Sequence, residues 1–308
     1  DAIEDHLVTL LRDSVRLQLR SDVPVGLLLS GGIDSGLLVA LAAEQLDQPI
    51  NTYTVRFQGA PVDEAPLAAS VAKRYGTRHE QLDLGLSSLA EHLPKLAWFC
   101  DEPLNDPALL PNYLIARQLG KRMKVALNGT GGDELFAGYA RYFQRPIERH
   151  YLTLPGWLRH RVAEPMVGGV SPMNAWRLAR AYKFFEDRGA YLHDHSTQFP
   201  SPILKLIGNR GGCVTPAQSR SFAAFEGPTQ TAALFADLET YLPEDLLTLL
   251  DRSSMSVGVE GRVPFLDNRL VEAALAVPPE IRTAGNRQKG LERRIAERFL
   301  PEAVINAP

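Results

Sequence analysis

The stretch from residue 25 to residue 40 restricts the fold more than any other part of the chain. It starts as an apolar segment, turns through serine and glycine, and continues into a second apolar segment that suits a helix. Gly31 and Gly32 lack a Cβ, so backbone N–H groups there can close around an anion at the positive end of the helix dipole. Ser30 and Ser35 add hydroxyl donors. The stretch therefore predicts a strand, a phosphate-binding loop and a helix.

Asp34 stands inside this loop, where a carboxylate would repel phosphate. Mg²⁺ resolves the conflict, since a hard cation can lie between a carboxylate and phosphate oxygens. A glycine pair after a strand is also a common plain connection, but the complete string Ser-Gly-Gly-Ile-Asp-Ser favours a binding site. No lysine follows the glycines, so the string is not the lysine-containing P-loop. It indicates a site for a polyphosphate together with Mg²⁺.

The order of the remaining segments predicts an α/β fold. Runs rich in apolar, β-branched or aromatic residues alternate with segments of helical periodicity. This alternation favours a doubly wound parallel sheet with helical crossovers, to which the end of the chain adds a helical layer. We place strands at 25–29, 50–55, 78–82 and 124–127, and helices at 2–20, from the loop to about 45, and at 63–76, 86–98, 110–121, 237–252, 267–277 and 289–299.

A second glycine loop follows the strand at 124–127. Residues 128–133 read Asn-Gly-Thr-Gly-Gly-Asp, again a glycine turn that ends in an aspartate. Ligands of doubly wound sheets collect beyond the carboxyl ends of the strands, so we expect both loops to face one site. Asp34 and Asp133 are then two carboxylates for Mg²⁺, which usually takes one or two from a protein. Asp133 could instead, or in addition, cap a helix that begins at Glu134.

Composition excludes several classes of function. A formal charge of −3 on 308 residues leaves no basic excess for nucleic acid or an anionic membrane, so small molecules and other proteins remain as partners, a homodimer among them. The chain has only Cys100 and Cys213, which argues against a disulfide framework or a Cys₄ metal site and indicates a reducing compartment, the cytoplasm. No apolar run reaches the roughly 18 residues of a membrane span.

Residues 140–235 give a weaker pattern. They are rich in arginine and interrupted by prolines, and we expect irregular helices that form a lid or a docking surface. His193 and His195 flank Asp194, a spacing compatible with metal binding, but a solvated loop is the favoured interpretation.

Further motifs follow along nearly the whole chain. Besides the first loop they are Asp63-Glu64, Asp101-Glu102-Pro103 with Asp106, the second loop as far as Tyr139, and the segments 250–255, 259–267 and 289–293. In this order they resemble the synthetase domain of the glutamine-hydrolysing asparagine synthetases, and the first loop resembles the pyrophosphate loop of the ATP pyrophosphatase family. The resemblance leaves out about 145–235. It implies one synthetase domain over 1–308, with a nucleotide-binding α/β core at 1–140, a helical insertion at 141–236 and a helical part at 237–308.

The resemblance also implies an activity, with ATP and Mg²⁺ as cofactors. ATP would adenylate the side-chain carboxylate of aspartate, giving β-aspartyl-AMP and pyrophosphate, and ammonia would displace AMP to give asparagine. The implied contacts with pyrophosphate and Mg²⁺ are Ser30, Gly31, Gly32, Asp34 and Ser35, with Asp133 as a further Mg²⁺ ligand. The implied adenosine contacts are Leu28, Val55 and Gly129.

Lys289 matches the family's lysine that contacts the phosphates during adenylation. A cation there would stabilise the charge that builds up in the transition state. Without the resemblance, a solvated lysine on an exposed helix would be the favoured interpretation.

Two positions depart from the family's pattern. Thr130 stands where the family carries an acidic residue proposed to accept a proton from ammonia, and Asn128 stands where serine is usual. Threonine cannot act as a base near neutral pH, so either another carboxylate such as Glu102 or Glu134 serves as the base, or the reaction partners differ. Amidation of another carboxylate, on a sugar, a peptide or a β-amino acid, is therefore the alternative function.

The resemblance implies an outside source of ammonia. The family's glutaminase half begins with a cysteine nucleophile, whereas this sequence begins with Asp1. Cys100 and Cys213 are interpreted as plain buried thiols. We expect ammonia from a glutaminase domain or chain that is absent from this sequence.

Overall fold

A computed structural model describes residues 2–57, 63–84, 89–102, 104, 106–197 and 216–307. Within these ranges the strands form one five-stranded sheet of order β3-β2-β1-β4-β5, in which every neighbouring pair is parallel. The strands are β1 Val25–Leu28, β2 Asn51–Phe57, β3 Arg78–Leu84, β4 Val125–Leu127 and β5 Glu260–Arg262.

The sheet is doubly wound, which confirms the predicted fold class. From β1 the chain proceeds outward through β2 to β3, and it then returns to the other side of β1 with β4 and β5. The direction of winding therefore reverses between β1 and β4. In sheets of this kind, ligands bind beyond the carboxyl ends of the strands at that point.

Helices account for most of the remaining described residues. The α-helices are α1 Ala2–Gln18, α2 Ile33–Ala43, α3 Ala65–Tyr75, α4 Leu89–Cys100, α5 Leu109–Leu119, α6 Gly132–Phe136, α7 Pro146–Thr153, α8 Gly156–Leu158, α9 Glu164–Val170, α10 Pro172–Ala179, α11 Lys183–Glu186, α12 Arg188–Ser196, α13 Ala217–Ala224, α14 Thr229–Glu239, α15 Thr248–Met255, α16 Asn268–Ala276, α17 Pro279–Arg282, α18 Gly290–Ala296 and α19 Glu302–Ile305. Short 3₁₀ segments lie at Ala140–Tyr142, Pro264–Leu266 and Ala284–Asn286, and π-helical segments lie at Arg159–Ala163 and Leu242–Leu247.

The core lies around the central strands and helix α2. Leu27 of β1 and Leu127 of β4 are fully buried, and nine of the eleven residues of α2 are buried as well. Strands buried on both faces need apolar side chains throughout, which is why the sequence before each loop is an uninterrupted apolar run. The apolar packing fixes the ends of β1 and β4, and with them the two loops.

Strand β5 has no strand-like sequence. Its residues Glu260, Gly261 and Arg262 are polar or small, and the sequence predicts no strand there. The strand forms because its backbone pairs with β4: the Glu260 N–H donates to Lys124 O over 2.8 Å, and the Asn128 N–H donates to Arg262 O over 2.8 Å. Pairing with a distant segment outweighs local propensity here.

The helix predicted at 237–252 is interrupted at Thr240, after which helical backbone continues from 241 to 255. Helix α14 ends at Glu239, a π-helical segment starts at Leu242, and α15 starts only at Thr248. Pro243 lies at the start of the second segment, where its missing N–H leaves no internal hydrogen bond unmade. The regular apolar spacing of the sequence conceals this break.

The chain divides into two compact units. Unit 1 consists of Asp1–Phe136 and Leu242–Pro308, and unit 2 consists of Ala137–Tyr241. Unit 1 contains the sheet and both glycine loops. Among the described residues, no helix is both long enough and apolar enough to cross a membrane.

The solvated loop expected around Asp194 in unit 2 is wrong. The residues lie in α12, where Asp194 is buried and forms ion pairs with Arg180 and, over 3.7 Å, with Lys183. His195 Nε2 lies 3.1 Å from the carboxylate of Glu148 on α7. The polar residues thus face partners inside the unit. No metal-binding group of three His, Cys, Asp or Glu side chains occurs in the part of the chain that the structure describes.

Candidate active site

The two glycine loops lie side by side where the winding of the sheet reverses. The first, residues 29–32, joins β1 to α2, and the second, residues 128–131, joins β4 to α6. Gly31 has a φ of +95° and Gly131 a φ of +101°, a region that glycine enters at little cost. A Cβ at Gly31 would lie 2.8 Å from the backbone oxygen of Glu64, so each loop turns tightly against its surroundings.

Serine hydroxyls hold the first loop in shape. The Ser30 N–H donates to Ser35 Oγ over 3.2 Å, and the two hydroxyl oxygens lie 3.1 Å apart. Gly32 precedes α2 as its N-cap and makes no side-chain capping hydrogen bond. The Gly32 N–H donates to Ser30 Oγ over 3.3 Å, and the helix start that follows has no side-chain cap, as an anion site requires.

The second loop lies close to Asp34. A Cβ at Gly129 would lie 3.0 Å from Cβ of Asp34, and one at Gly132 would lie 2.8 Å from its Cγ. Glycine is thus needed at both positions for the loops to approach each other. Helix α6 starts at Gly132, so Asp133 belongs to its first turn and is not its N-cap, and the capping alternative is wrong.

Lys289 joins the two loops from a third segment of the chain. Its Nζ forms an ion pair with Oδ1 of Asp34 and lies 3.1 Å from Oδ1 of Asp133 and 3.6 Å from Oε2 of Glu292. Lys289 immediately precedes α18 and has a φ of +53°. Its side chain is only 14% exposed, so the interpretation as a solvated lysine does not hold in the folded chain.

Charge determines the protonation of this cluster. Burial lowers the pKa of Lys289, but the negative charges of Asp34, Glu292 and Asp133 outweigh burial and raise its pKa above the usual value, so the ammonium form is favoured. Burial raises the pKa of Glu292 well above the usual value, and the facing charge of Asp34 acts in the same direction. The cluster thus holds one cation that several carboxylates share.

Sequence reasoning missed Glu292. The residue is fully buried, and neither carboxylate oxygen receives a hydrogen bond from the described protein. In the helix that the sequence predicts at 289–299, a spacing of three residues places Glu292 and Lys289 on one face, and this is the signal that could have identified Glu292.

A mainly apolar pocket opens on the sheet next to the loops. Leu28 lies in it at the end of β1, and Asn128 lies in it at the end of β4. The pocket is lined by Leu28, Asn112, Ile115, Ala116, Leu119, Ala126, Asn128, Leu250, Ser253, Ser254, Val259 and Gly261. Of the three residues assigned to adenosine, Leu28 lines this pocket, Val55 packs into the core beneath it, and Gly129 lies in the loop against Asp34.

Thr130 is bound to its neighbour Asn128. Both its backbone N–H and its hydroxyl donate to Asn128 Oδ1, over 2.9 and 3.0 Å. The two departures from the family's pattern therefore form one hydrogen-bonded unit. Of the two carboxylates named as alternative bases, Glu134 is buried in α6, whereas Glu102 is exposed just after α4 and makes no ion pair with the Lys289 cluster within the described residues.

The donor set suits Mg²⁺ that arrives with phosphate. Asp34 and Asp133, in the first turns of the helices that follow the two loops, direct their carboxylates toward a common point, where the ammonium of Lys289 lies. Mg²⁺ typically takes one or two carboxylates and completes its octahedron with phosphate oxygens and water. The two aspartates fit that requirement, and among the described residues no group of three His, Cys, Asp or Glu side chains forms a metal site by itself.

Known proteins match this chain over almost its full length. The asparagine synthase family model matches residues 6–308. Glutamine-hydrolysing asparagine synthetase 1 of Bacillus subtilis strain 168 is 33% identical, over 98% of this chain and 49% of its own length. A putative glutamine-hydrolysing asparagine synthetase of Mycobacterium bovis is 32% identical, over 99% of this chain and 47% of its own.

The likeness extends to a protein with another name and, weakly, to a solved structure. Amidase chry2 of Gibberella zeae is 24% identical over 99% of this chain and 51% of its own. An NH₃-dependent NAD synthetase of Campylobacter jejuni covers 45% of this chain and 60% of its own with 17% identity, and its TM-score of 0.29 is too low to indicate a shared fold. The chain spans about half the length of the curated relatives it matches. The predicted resemblance is confirmed: the chain belongs to the asparagine synthase family.

Proposed function

We propose that this chain is an ATP-dependent carbon–nitrogen ligase that activates a carboxylate by adenylation and converts it to an amide. Aspartate is the proposed acceptor, and asparagine is the product. The observation that carries the proposal is the meeting of Lys289 with Asp34 and Asp133, one from each glycine loop, at the reversal point of the sheet. Membership of the asparagine synthase family supports it.

Each part of the site has a task in the first half-reaction. The backbone of Gly31 and Gly32, with the hydroxyls of Ser30 and Ser35, would bind the phosphates that leave as pyrophosphate. Lys289 would lie near the α-phosphate, where its charge stabilises the transition state. Asp34 and Asp133 would hold Mg²⁺, which supplies further positive charge to the phosphates. The pocket beside Leu28 would hold the adenosine.

In the second half-reaction ammonia attacks the activated carbonyl carbon, AMP leaves, and the nitrogen loses a proton. Thr130 is not a base, since its hydroxyl donates a hydrogen bond to Asn128. Glu134, in the first turn of α6, is the carboxylate that we propose for the proton, with exposed Glu102 as the alternative. The ammonia would come from a glutaminase domain or chain, because the relatives named above are described as glutamine-hydrolysing.

The Thr130–Asn128 pair favours a second candidate function. It replaces the acidic residue and the serine of the family's pattern by a pair in which both donors of Thr130 bond to Asn128. A site altered in this way could amidate a different carboxylate, on a sugar, a peptide or a β-amino acid, by the same adenylation chemistry.

The proposed location is the cytoplasm, in keeping with the low cysteine content.

ATP–pyrophosphate exchange tests the first half-reaction. The purified chain is incubated with Mg²⁺, ATP and labelled pyrophosphate, with aspartate, glutamate, other carboxylates or no acceptor. We expect exchange that depends on aspartate and is abolished in Asp34→Ala. Asp22→Ala, which removes an exposed aspartate before β1, is the matched control and should exchange normally.

Two results would alter the assignment. Exchange with another carboxylate but not with aspartate would replace the first candidate by the second. ATP binding without exchange for any acid would contradict both. Adding ammonium chloride and following amide formation then separates the second half-reaction from the supply of ammonia.

A further inference from the structure

Glu292 belongs to the Lys289 cluster, yet the proposed reaction gives it no task. Its carboxylate is fully buried, and no described group donates a hydrogen bond to it. Buried carboxylate oxygens in folded proteins normally have such donors. The burial of the Glu292 carboxylate without a hydrogen-bond donor therefore needs an explanation.

The pocket around Glu292 is otherwise apolar. Leu7, Leu11, Leu37, Phe136, Phe265 and Ile295 are among the residues that line it with Glu292. Such surroundings favour an apolar side chain of similar size, since burial of a carboxylate without hydrogen bonds costs free energy. Packing alone therefore does not account for a glutamate at this position. Its polar neighbours are the ammonium of Lys289, 3.6 Å away, and the carboxylate of Asp34.

The backbone holds Glu292 and Lys289 in a fixed relation. They lie three residues apart at the start of α18, where Lys289 has a left-handed φ of +53°. A Cβ at Gly290 would lie 3.1 Å from the backbone nitrogen of Ala284 and 3.2 Å from the oxygen of Arg282, so this helix start packs tightly on the preceding turn. Glu292 is thus tied to the segment that carries Lys289 and not to either glycine loop.

The proposed cation competes with the ammonium for Asp34 and Asp133. Carboxylate oxygens that turn to Mg²⁺ no longer pair fully with Lys289, whose side chain is only 14% exposed. A poorly hydrated ammonium needs a remaining oxygen acceptor or it leaves the pocket. Glu292 is the carboxylate of the cluster that the cation does not use.

We infer that Glu292 is the positioning residue that keeps the ammonium of Lys289 in the site while Asp34 and Asp133 hold a divalent cation. The inference rests on the proposed function for the identity of the cation and of the reaction. Glu292 touches neither the phosphates nor the acceptor. It acts through Lys289.

Three variants test this role. Glu292→Leu removes the carboxylate and fills the apolar pocket, and Glu292→Gln keeps the shape but removes the charge. Glu297→Leu is the matched control, because Glu297 is an exposed carboxylate directly after the same helix. Thermal unfolding of each variant shows whether it folds, and Glu292→Gln preserves the test if the leucine variant does not.

The first readout is the reactivity of Lys289 and does not require catalysis. The chain, saturated with Mg²⁺ alone, is treated with an amine-acylating reagent, and acylation of Lys289 is followed by peptide mass spectrometry. In Glu292→Leu we expect Lys289 to react about tenfold faster than in the unchanged chain, because an ammonium that has left the pocket is accessible to the reagent. Glu292→Gln should be intermediate and Glu297→Leu unchanged. Unchanged or slower acylation in both Glu292 variants would overturn the inference.

The second readout separates positioning from binding. In ATP–pyrophosphate exchange, Glu292→Leu should lower kcat about tenfold while KM for ATP changes by less than about threefold, because a displaced ammonium costs transition-state stabilisation. Unchanged kcat would also contradict the inference. If the unchanged chain shows no exchange, the proposed function fails, whereas the acylation of Lys289 still decides whether Glu292 holds it.

Discussion

Lys289 shares one ammonium group among three carboxylates, and this sharing makes the residue sensitive to substitution. Asp34 and Asp133 come from different loops, and Glu292 comes from the helix that follows Lys289. Breaking a buried ion pair from one side is costly, because the remaining charges stay buried and repel each other. The lysine therefore contributes to stability as well as to the proposed chemistry.

Lys289→Met should lower the free energy of unfolding by about 3 kcal/mol, because three carboxylates then face each other without a cation. Millimolar Mg²⁺ should restore part of this loss, since the metal can take the place of the ammonium between Asp34 and Asp133. Urea unfolding with and without Mg²⁺ measures both effects. Lys73→Met, at an exposed position of α3, serves as the control and should change stability by less than about 0.5 kcal/mol. Equal stability of the Lys289 variant and the unchanged chain would refute the prediction.

The residue types of the two loops could be predicted from the sequence, but the distant residues that contact them in the fold could not. The serines, glycines and aspartates of both loops follow from the sequence because their conformations depend on adjacent residues. The contact of Lys289 with Asp34 spans 255 positions, and only the family resemblance indicated it. The local sequence does not indicate that Glu292 is buried, because its burial depends on side chains from α1, α2 and α6.

At the scale of elements, the distance between the two loops depends on glycines. Gly129 and Gly132 lie so close to Asp34 that a side chain would displace it. Gly132 has a helical position in α6, so its role is steric and not conformational.

Gly132→Ala is expected to weaken binding of ATP with Mg²⁺ about tenfold, because its Cβ would lie 2.8 Å from Cγ of Asp34 and push the carboxylate away. Stability should change by less than about 1 kcal/mol, since alanine suits a helix. Calorimetric titration with ATP and Mg²⁺ measures the affinity. The control is Gly169→Ala in α9, where a Cβ would meet nothing within 4 Å. Full affinity in the Gly132 variant would show that Asp34 can move aside.

Arg282 supports the segment that leads to Lys289. Its guanidinium is fully buried, and Nη2 donates to the carbonyl oxygens of Ala274, Leu275 and Val277 over 2.8 to 3.0 Å. Burial lowers the pKa of this side chain to about 10. These hydrogen bonds supply donors to the carbonyls of Leu275 and Val277 at the end of α16, and a second donor to Ala274 O, which also accepts from the Val277 N–H.

Arg282→Met should cost about 2 to 4 kcal/mol of unfolding free energy, because it leaves buried carbonyl groups without donors. Urea unfolding measures the loss. Arg298→Met removes an exposed arginine that pairs with Asp5 on the surface and should cost less than about 1 kcal/mol. Similar losses in the two variants would contradict the structural role of Arg282.

At the scale of the whole molecule, the two units place their buried charges differently. In unit 1 the buried carboxyl groups of Glu134 and Glu292 lie near the glycine loops, whereas Arg282 bonds to backbone carbonyls. Within unit 2 the buried charges pair internally: Tyr191 donates to Glu148 over 2.7 Å, and His195 lies 3.1 Å from the same carboxylate. Low pH should therefore lower the stability of unit 2 through protonation of Glu148.

Glu148→Gln should make the stability of unit 2 less sensitive to acid. Burial raises the pKa of Glu148, but hydrogen bonds from His195 and Tyr191 outweigh burial and lower it below its usual value of 4.5. A carboxyl with a lowered folded-state pKa stabilises the fold above pH 4.5 and loses this effect as the pH falls through the folded-state pKa. The variant should be less stable near neutrality and lose less stability between about pH 6 and about pH 3.

Urea unfolding at several pH values, with hydrogen exchange of α7 and α12 corrected for the intrinsic rate, measures this difference. Glu186→Gln, at an exposed position of α11, is the control and should follow the unchanged chain. Parallel stability curves for the Glu148 variant and the unchanged chain would refute the prediction.

The sequence by itself determined the α/β alternation, the two strand–glycine–aspartate loops and the placement of both at one edge of a parallel sheet. These features depend on adjacent residues: apolar runs specify buried strands, and glycines permit a positive φ at the turn. The tertiary structure decided that β5 pairs with β4, that Lys289 and Glu292 enter the cluster, that Asp194 is buried and that His195 faces Glu148. Each of these depends on contacts between segments far apart in the chain, whose packing and electrostatic free energies outweigh the local propensities that a sequence pattern expresses.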